Sequence, residues 1–425
     1  MNSLLRRVNE ALHDMCYIWE KEIRTVFQDE GVFLFCIVVP LLYPLLYSWI
    51  YNNEVVREVP VAVVDQSNSQ LSRQFVRMFD ASPDTKVAYR CNDLHQARDL
   101  VEKQVVHGIL YFPADFENRL LSMQQAHVSV YCDMSLMLTY KAIYTTATAV
   151  SQNVNAGLQV QLSGNQTSRE DEILVKPLDF EEVQLFNPTG GYGSFIIPGV
   201  LVLILQQTLL LGIGLSAGTA RENNRFKELI PISHHYNGVF RIVGGKTLCY
   251  AMIYAVMAAY ICLVVPRIFS FTSLLNAREL FGIMVPYVLA CIFFGMFVSG
   301  VVRYRENVIL LVVFTSVPLL FLAGLSWPQS AIPHVWQMVG YVFPSTFGIR
   351  AFDRMMVMGA TLGDVEREYH TLWMQVVFYF FATCLVYHYQ LYLTRRHVAK
   401  RISTVKQSVA KALARKAGKA AGNEA

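Results

Sequence analysis

Six long apolar stretches dominate the sequence and limit the folds that the chain can adopt. Each is close to the ~20 residues that a helix needs to cross a bilayer core, and none contains Asp, Glu, Lys or Arg. They are residues 32–51, 195–217, 247–265, 280–302, 308–326 and 372–393. Hydrophobic residues make up 54% of the chain and charged residues 16%, against about 45–50% and about 25% in soluble proteins. The sequence therefore predicts an α-helical polytopic membrane protein with six transmembrane helices, and it excludes a wholly soluble enzyme and a disordered chain.

The distribution of Lys and Arg predicts the orientation of the spans, because cytoplasmic loops are enriched in these residues. Of the 36 Lys and Arg residues, 20 lie in residues 1–31, 218–246, 303–305 and 394–425. Only 5 lie in residues 266–279 and 327–371, the short segments on the opposite side of the membrane. Both termini are therefore expected in the cytoplasm. Residues 394–425 are predicted as a basic cytoplasmic tail that attracts anionic membrane lipids and not nucleic acid.

Residues 52–190, between the first two spans, have the composition of a soluble domain and are expected to face outward. Strands are predicted at residues 59–64, 86–89, 108–112 and 128–131. Helices are predicted from apolar spacing at residues 69–79, 94–105 and 114–123, and Ser69 is suited to cap the first of them. An inserted α/β extracytoplasmic domain follows from this alternation. Residues 136–162 are expected to return toward the membrane as one long helix.

Four segments, in this order, resemble the membrane subunits of ABC type-2 exporters, in particular the permeases with a large outer domain that are associated with drug or lipid export. They are VPVAVVDQSNSQLSR at 59–73, the stretch from Asn187-Pro188 to Ile197-Pro198-Gly199, RENNRFKELIP at 221–231, and the stretch from LAGLSWP at 322–328 to FPST at 343–346. The resemblance spans nearly the whole chain, residues 191–393 supplying spans two to six. Arg225-Phe226 departs from it, because the family often has a Gly-Thr pair there.

The resemblance implies a permease subunit of an ATP-driven exporter in the bacterial inner membrane. Its cargo would be an amphipathic, drug-like or lipid-like compound that leaves the cytoplasm or the inner leaflet. Its implied partners are an ABC ATPase subunit, which uses ATP and Mg, and a second permease copy or a sister permease. The identity of the cargo and the presence of a periplasmic adaptor protein stay open.

Residues 218–246 form the inner loop that the resemblance identifies as the contact with the ATPase. A helix of two to three turns is predicted at 222–230, since Pro231 would stop it. The predicted coupling residues are Arg221, Glu222, Arg225, Phe226, Glu228 and Leu229. The alternative is an ordinary charged loop that obeys the positive-inside rule. Residues 1–31 are predicted as a cytoplasmic amphipathic helix at the membrane interface and a second ATPase contact, or else as a helix that packs on the core.

The tetrapeptide Gly244-Gly245-Lys246-Thr247 imitates the end of a phosphate-binding loop, G-x-x-x-x-G-K-[ST]. Phe240 stands where the first glycine should be, and a membrane span follows instead of a soluble helix. We therefore interpret Lys246 as a residue at the membrane boundary, and the glycines as positions that permit close packing. Because the sequence has no other such loop, the chain is predicted to be no enzyme and to bind no cofactor, and ATP hydrolysis is assigned to the partner.

The outer segment after the fifth span, residues 327–350, is rich in aromatic residues and prolines. In the family resembled, re-entrant helices at this place close the outer end of the translocation path, and such helices need partners for their backbone groups. The predicted gate residues are Trp327, Pro328, Pro333, Phe343 and Pro344. An aromatic belt loop is the alternative.

Polar side chains are few within the spans. Gln206 and Gln207 are predicted to face a cavity on the translocation path or a sister subunit, because an amide in lipid needs a partner. Since no Asp, Glu, Lys or Arg lies mid-span, an ion-coupled carrier is disfavoured and an amphipathic cargo is favoured. The rival from another class is a membrane-anchored sensor or assembly factor whose outer domain binds a ligand.

Of the eight cysteines, Cys91 and Cys132 are the two in the inserted domain. An oxidising compartment would permit a disulfide between them, and free thiols are the alternative. The sequence contains no zinc-site spacing, and His234 and His235 are expected in a solvated turn, so no metal is predicted.

Overall fold

The computed structural model describes residues 2–52, 55–122, 124–163, 168–176, 185–187, 191–224, 229–231, 234–236, 238–271 and 273–421. The chain forms two compact units. Unit 1 combines Met1–Asn52 with Tyr192–Ala425, and unit 2 is Asn53–Gly191.

Among the residues of unit 1 that the structure describes, six helices are long and apolar enough to cross a membrane, in agreement with the six predicted spans. Spans 1 to 6 are Glu30–Ile50, Gly193–Asn223, Val239–Ile268, Ala277–Val301, Arg305–Leu322 and Glu366–Lys400. Span 1 includes the π-helical turn Leu34–Val38, and span 3 includes another, Tyr260–Val264. The helix of span 6 continues to Ala421, so the basic segment after it is a direct extension of the span.

Span 2 is the centre of unit 1. In an apolar stretch of 18 residues within span 2, 94% of the residues are buried. The corresponding share is 28% in span 1 and 17% in span 5. A helix that is apolar all round and also buried is a core helix, so the other spans pack around this one.

Helix α1, Asn2–Gln28, precedes span 1. Asp29 separates the two and caps span 1, because its Oδ1 accepts hydrogen bonds from the backbone N–H groups of Gly31 at 3.0 Å and Val32 at 3.2 Å. A carboxylate at a helix N-terminus satisfies donors that lack a partner within the helix. The cap therefore fixes the angle at which the chain passes from α1 into span 1.

Unit 2 is built on a four-stranded sheet, which agrees with the predicted alternation of strands and helices. The strands are β1 (Val59–Asp65), β2 (Thr85–Cys91), β3 (Gly108–Phe112) and β4 (Ser129–Cys132). The helices are α2 (Gln70–Asp80), α3 (Leu94–Glu102), α4 (Phe116–Leu121), α5 (Met137–Ser163) and α6 (Ser168–Val175). Ser69 caps α2 as predicted, since its Oγ accepts from the N–H of Ser72 at 3.1 Å.

The sheet order is β2-β1-β3-β4, with β1 parallel to β2 and β3, and β4 antiparallel to β3. One face, with Val61, Val63 and Leu110, packs on α2, α4 and α5. The other face, with Ala62 and Val64, packs on α3. Both faces are covered, which explains why β1 is an uninterrupted β-branched run instead of an alternating one.

The possible disulfide between Cys91 and Cys132 is absent. Cys91 ends β2 and Cys132 ends β4, and these are the two outer strands of the sheet. Three strand spacings of about 4.8 Å separate them, whereas a disulfide requires Cα atoms within about 7 Å. Both residues are free thiols.

Two helices follow span 5, namely α7 (His334–Gly340) and α8 (Pro344–Met358). Pro333 and Phe343 are the residues that cap them, and Pro344 is the first residue of α8, where the missing N–H costs nothing. Helix α8 is largely buried, whereas α7 exposes Val335 and Met338. The proline positions therefore mark the starts of both helices.

Candidate functional site

The candidate site is the inner junction, defined here as α1, the end of span 2, the start of span 3, and the segment between these two spans. One face of α1 carries Asp14, Ile18, Glu22 and Val26 at a spacing of four residues, and all four are buried. Residues four apart lie on one face of a helix. Since two of the four are acidic, this face needs cationic or hydrogen-bonding partners from another element.

Glu22 has those partners on spans 2 and 3. Its Oε1 accepts from Lys246 Nζ at 2.7 Å, from Tyr250 OH at 2.9 Å and from Ser216 Oγ at 3.0 Å. Burial alone would raise the pKa of Glu22, but the charge of Lys246 and these hydrogen bonds lower it below its usual value. The pair is therefore charged, and it joins α1 to two spans.

Asp14 forms a second contact, with the loop and the start of span 3. One oxygen lies 2.7 Å from His235 Nδ1 and the other accepts from Arg241. Burial would raise the pKa of Asp14, but the hydrogen bonds from His235 and Arg241 lower it. The ring of His235 also stacks on Tyr17 at 4.2 Å between centroids. His235 was expected in a solvated turn, and the structure places it against α1 instead.

His13, Asp14 and His235 bring three potential metal-ligand atoms within 4.8 Å of one another. Arg241 already binds the Asp14 carboxylate, and its positive charge opposes a cation at the same place. We therefore assign this cluster to the docking of α1.

Asp29 adds a third contact. Its carboxylate accepts from Thr219 on span 2 and lies 3.3 Å from Arg305 Nη2 at the start of span 5. Burial would raise the pKa of Asp29. The hydrogen bond from Thr219, the hydrogen bonds from the backbone N–H groups that Asp29 caps, and the positive charge of Arg305 together lower it. Acidic groups at three positions thus fasten the α1 segment to spans 2, 3 and 5.

Two of the predicted coupling residues are buried. Arg221 is 7% exposed, and its guanidinium donates to four carbonyl oxygens at the end of span 4, those of Ser299, Gly300, Val302 and Arg303, at 2.6–3.2 Å. These carbonyls have no partner within their own helix. Leu229 is 2% exposed. Neither residue is presented to solvent as a docking surface, and both fasten the loop to the spans.

Glu222 is the predicted coupling residue that is exposed, and its Oε2 lies 3.7 Å from Arg305 Nη1. Arg225, Phe226 and Glu228 lie outside the described residues. The loop is closed at its base, because Asn224 Nδ2 donates to the carbonyl of Ile230 at 3.1 Å. A cavity of about 390 Å³ lies beneath the loop, between α1 and span 2, and Glu22 and Lys246 form part of its wall.

Gln206 and Gln207 differ in their surroundings, although both are buried. Gln206 Oε1 accepts from the backbone N–H of Ser345 at 2.7 Å, so it holds the first turn of α8 against span 2. In the part of the chain that the structure describes, neither polar atom of Gln207 has a hydrogen-bond partner. A buried amide without a partner costs free energy, which marks Gln207 as the better candidate for contact with a cargo or a second subunit.

The predicted gate residues fall into two groups. Phe343 packs its ring edge against Phe294 of span 4, with centroids 5.7 Å apart, and Pro344 is buried at the start of α8. Trp327 is 56% exposed, and Pro328 and Pro333 precede the 3₁₀ turn Gln329–Ala331 and α7. Phe343 and Pro344 thus belong to the packed core, whereas the others lie in the connection before it.

Comparison with known proteins places this geometry in context. The sequence model of a family described as ABC-2 family transporter protein matches residues 31–387. The probable multidrug ABC transporter permease YbhR of Escherichia coli K12 is 21% identical over 327 residues, which cover 76% of this chain and 84% of that protein. The probable multidrug ABC transporter permease YbhS of the same strain is 22% identical over 345 residues, which cover 80% and 87%.

Proposed function

The chain belongs to the ABC-2 family of transporter proteins, and from that premise we propose that it is the permease subunit of an ATP-driven exporter for amphipathic compounds. The observation that carries the proposal is the anchored inner loop. A permease receives force from a separate ATPase, so the contacted loop must be fixed to the helices that it moves.

The anchoring extends to five of the six spans. Arg221 holds the end of span 4, Glu22 holds spans 2 and 3, and Asp29 joins span 1 to spans 2 and 5. Because several of these contacts are charged and buried, each is expensive to break. A displacement of the loop would therefore move the spans instead of being absorbed locally.

An amphipathic, drug-like or lipid-like cargo suits the low polarity of the spans. The described mid-span regions contain uncharged polar side chains, such as Gln207, and no acidic residue that could relay protons. The relatives are named as multidrug permeases, which supports a drug-like cargo for this chain as well. The energy would come from ATP, used with Mg by the partner ATPase.

The proposed arrangement puts the inner junction and both termini in the cytoplasm and unit 2 on the outer side of the bacterial inner membrane. The excess of Lys and Arg in the inner segments supports this orientation. Helices α7 and α8 would then close the outer end of the path. A second permease copy or a sister permease would complete it, and a periplasmic adaptor would attach from outside.

The proposal is tested with a charge reversal on the loop. The tagged chain is purified in mild detergent from cells that express it with its ATPase, and ATP hydrolysis of the eluate is measured. We expect the double variant Glu222→Arg, Arg225→Glu to lose the co-purified ATPase and its activity. The matched control is Arg98→Glu, Glu102→Arg, which reverses an exposed pair in unit 2 with Nε–Oε1 at 3.2 Å.

The control variant should retain the ATPase at the wild-type ratio. If the loop variant also retained it, with unchanged hydrolysis and export, the coupling role of the loop would be wrong. If even the wild-type chain purified without an ATPase, the permease proposal would fail, and a sensor or assembly factor would replace it.

A further inference from the structure

Unit 2 contains a cavity of about 630 Å³ on the face of the sheet that carries α5, which we call the domain groove. One wall is α5, whose Ala147, Ser151 and Asn155 recur at a spacing of four. The other wall is the stretch from residue 125 to Val130 at the start of β4. The volume falls within the range of ~300–1,000 Å³ that is typical of small-molecule sites.

The floor of the groove is apolar and belongs to the core of unit 2. Phe75 and Phe116 reach it, and they are 3% and 4% exposed. Val128 and Val130 project from the same side of the chain, because alternate residues of an extended segment share one face. The floor can therefore contact an acyl chain or an aromatic ring.

The rim of the groove is polar, and it includes the exposed imidazole of His127. Gln152 and Asn155 of α5 are exposed there, opposite Gln125. Among the described residues that line the groove there is no Asp, Glu, Lys or Arg. An ionic ligand would lose its hydration without gaining a counter-charge, whereas the amides can donate to and accept from neutral polar groups.

We propose that the domain groove binds a neutral amphipathic small molecule, with its apolar part on the half-buried Val128 and Val130 above Phe75 and Phe116, and its neutral polar group at the amides of the rim. The small side chains Ala147 and Ser151 keep the groove open, since larger residues at these positions would fill it. This binding needs no nucleotide and no ATPase, so it stands or falls separately from the coupling role of the inner loop.

The test is photolabelling of the full-length chain in lipid nanodiscs. The probe is a neutral alkyl benzamide that carries a diazirine, and labelled peptides are mapped by mass spectrometry. We expect label on peptides of unit 2 that contain the groove walls, and competition by the same benzamide without the diazirine. Ser151→Trp should reduce this label by roughly tenfold or more, because the indole occupies the ligand volume. Ser151→Ala should retain it.

The matched control is Asn153→Trp, which places the same side chain on an exposed position of α5 that does not line the groove. Its labelling should equal that of the wild type. Label confined to the spans, or equal loss in both Trp variants, would overturn the proposal. So would a Ser151→Cys variant that forms a disulfide-linked dimer in high yield, because the groove would then be covered by a second copy.

Discussion

Two adjacent glutamines of span 2 allow a structural contact to be separated from a functional one. Gln206 binds the N–H of Ser345, whereas Gln207 has no partner among the described residues. We expect Gln206→Leu to lower stability by ~1–3 kcal/mol, because it leaves a buried donor unpaired. Gln207→Leu removes an unpaired amide, so it should leave the thermal midpoint unchanged or higher while it lowers export. Thermal unfolding in detergent and cargo efflux measure the two effects. A stability loss in Gln207→Leu larger than that in Gln206→Leu would contradict this assignment.

The ion pair between Glu22 and Lys246 was not predicted from the sequence. Lys246 was expected at the membrane boundary, but its partner lies 224 residues away, and no local pattern joins the two. A signal did exist, since Asp14 and Glu22 alternate with Ile18 and Val26 on one helical face. Acidic residues on an otherwise apolar face indicate that the face meets cations instead of lying against lipid.

Breaking one half of this pair should be costly, and replacing both halves should not. Glu22→Leu or Lys246→Met alone should destabilise by about 3–5 kcal/mol, because each leaves a buried charge, whereas the double variant should recover most of the loss. A double-mutant cycle of thermal midpoints measures the coupling. The control is Glu10→Leu, which removes the exposed pair with Arg6 and should cost less than about 1 kcal/mol.

The pH dependence of this pair follows from the lowered pKa of Glu22. Its stabilisation is complete above the ordinary glutamate pKa and is lost as the pH falls through the lowered one. The advantage of the wild type over Glu22→Gln should therefore be constant near neutral pH and shrink only in acid. A double variant that lost as much stability as the two single variants added together would show no coupling and would contradict the assignment.

At the scale of elements, α1 and span 3 pack closely because span 3 has two glycines in its second turn, Gly244 and Gly245. A Cβ at Gly245 would lie 2.9 Å from the Cβ of Ile18 and 2.9 Å from the carbonyl of Met15, and one at Gly244 would lie 2.6 Å from Met15 Cε. The contact between Gly245 and the carbonyl of Met15 involves backbone, which cannot move aside alone. The expected role of the glycines in close packing is thus confirmed, and the helix that they receive is α1.

Gly245→Ala should therefore loosen α1. We expect a loss of ~1–3 kcal/mol, the usual cost of overpacking, and faster tryptic cleavage at Lys21 and Arg24. The control is Gly157→Ala on α5, where a Cβ would meet no atom within 4 Å. That change should be neutral or stabilising by up to ~1 kcal/mol, because alanine is the better helix former. Unaltered cleavage of α1 in Gly245→Ala would show that it does not depend on this contact.

The strands and the helices α2 to α5 of unit 2 were predictable to within a few residues, because each carries its own signal, whereas α6 was not predicted. Ser69 caps α2, and the strands are short β-branched runs bounded by polar turns. The sheet order was not predictable, because the local sequences of β2 and β4 do not determine which strands they pair with. The question whether Cys91 and Cys132 could form a disulfide stayed open in the sequence for that reason. The sequence also did not show that the basic residues after span 6 continue its helix as far as Ala421.

At the scale of the whole molecule, the proposed function depends on which side of the membrane each unit faces. The orientation rests on 20 Lys and Arg residues in the inner segments against 5 in the short outer ones, a bias that sets the topology of most membrane proteins. If this orientation is correct, the inner junction contacts the ATPase, and the domain groove faces the compartment into which cargo is released. If the orientation is reversed, the inner junction cannot meet the ATPase.

Cysteine labelling in intact cells decides the orientation. Arg98→Cys and Ser403→Cys both introduce thiols at exposed positions, the first in unit 2 and the second in the extension of span 6. Cys16, which is exposed, and Cys132, which is half-buried in unit 2, are first replaced by Ser to lower the background. We expect a membrane-impermeant maleimide to label Arg98→Cys in intact spheroplasts and Ser403→Cys only after permeabilisation. The opposite pattern would place unit 2 in the cytoplasm, and the loop between spans 2 and 3 could then no longer receive force from an ATPase.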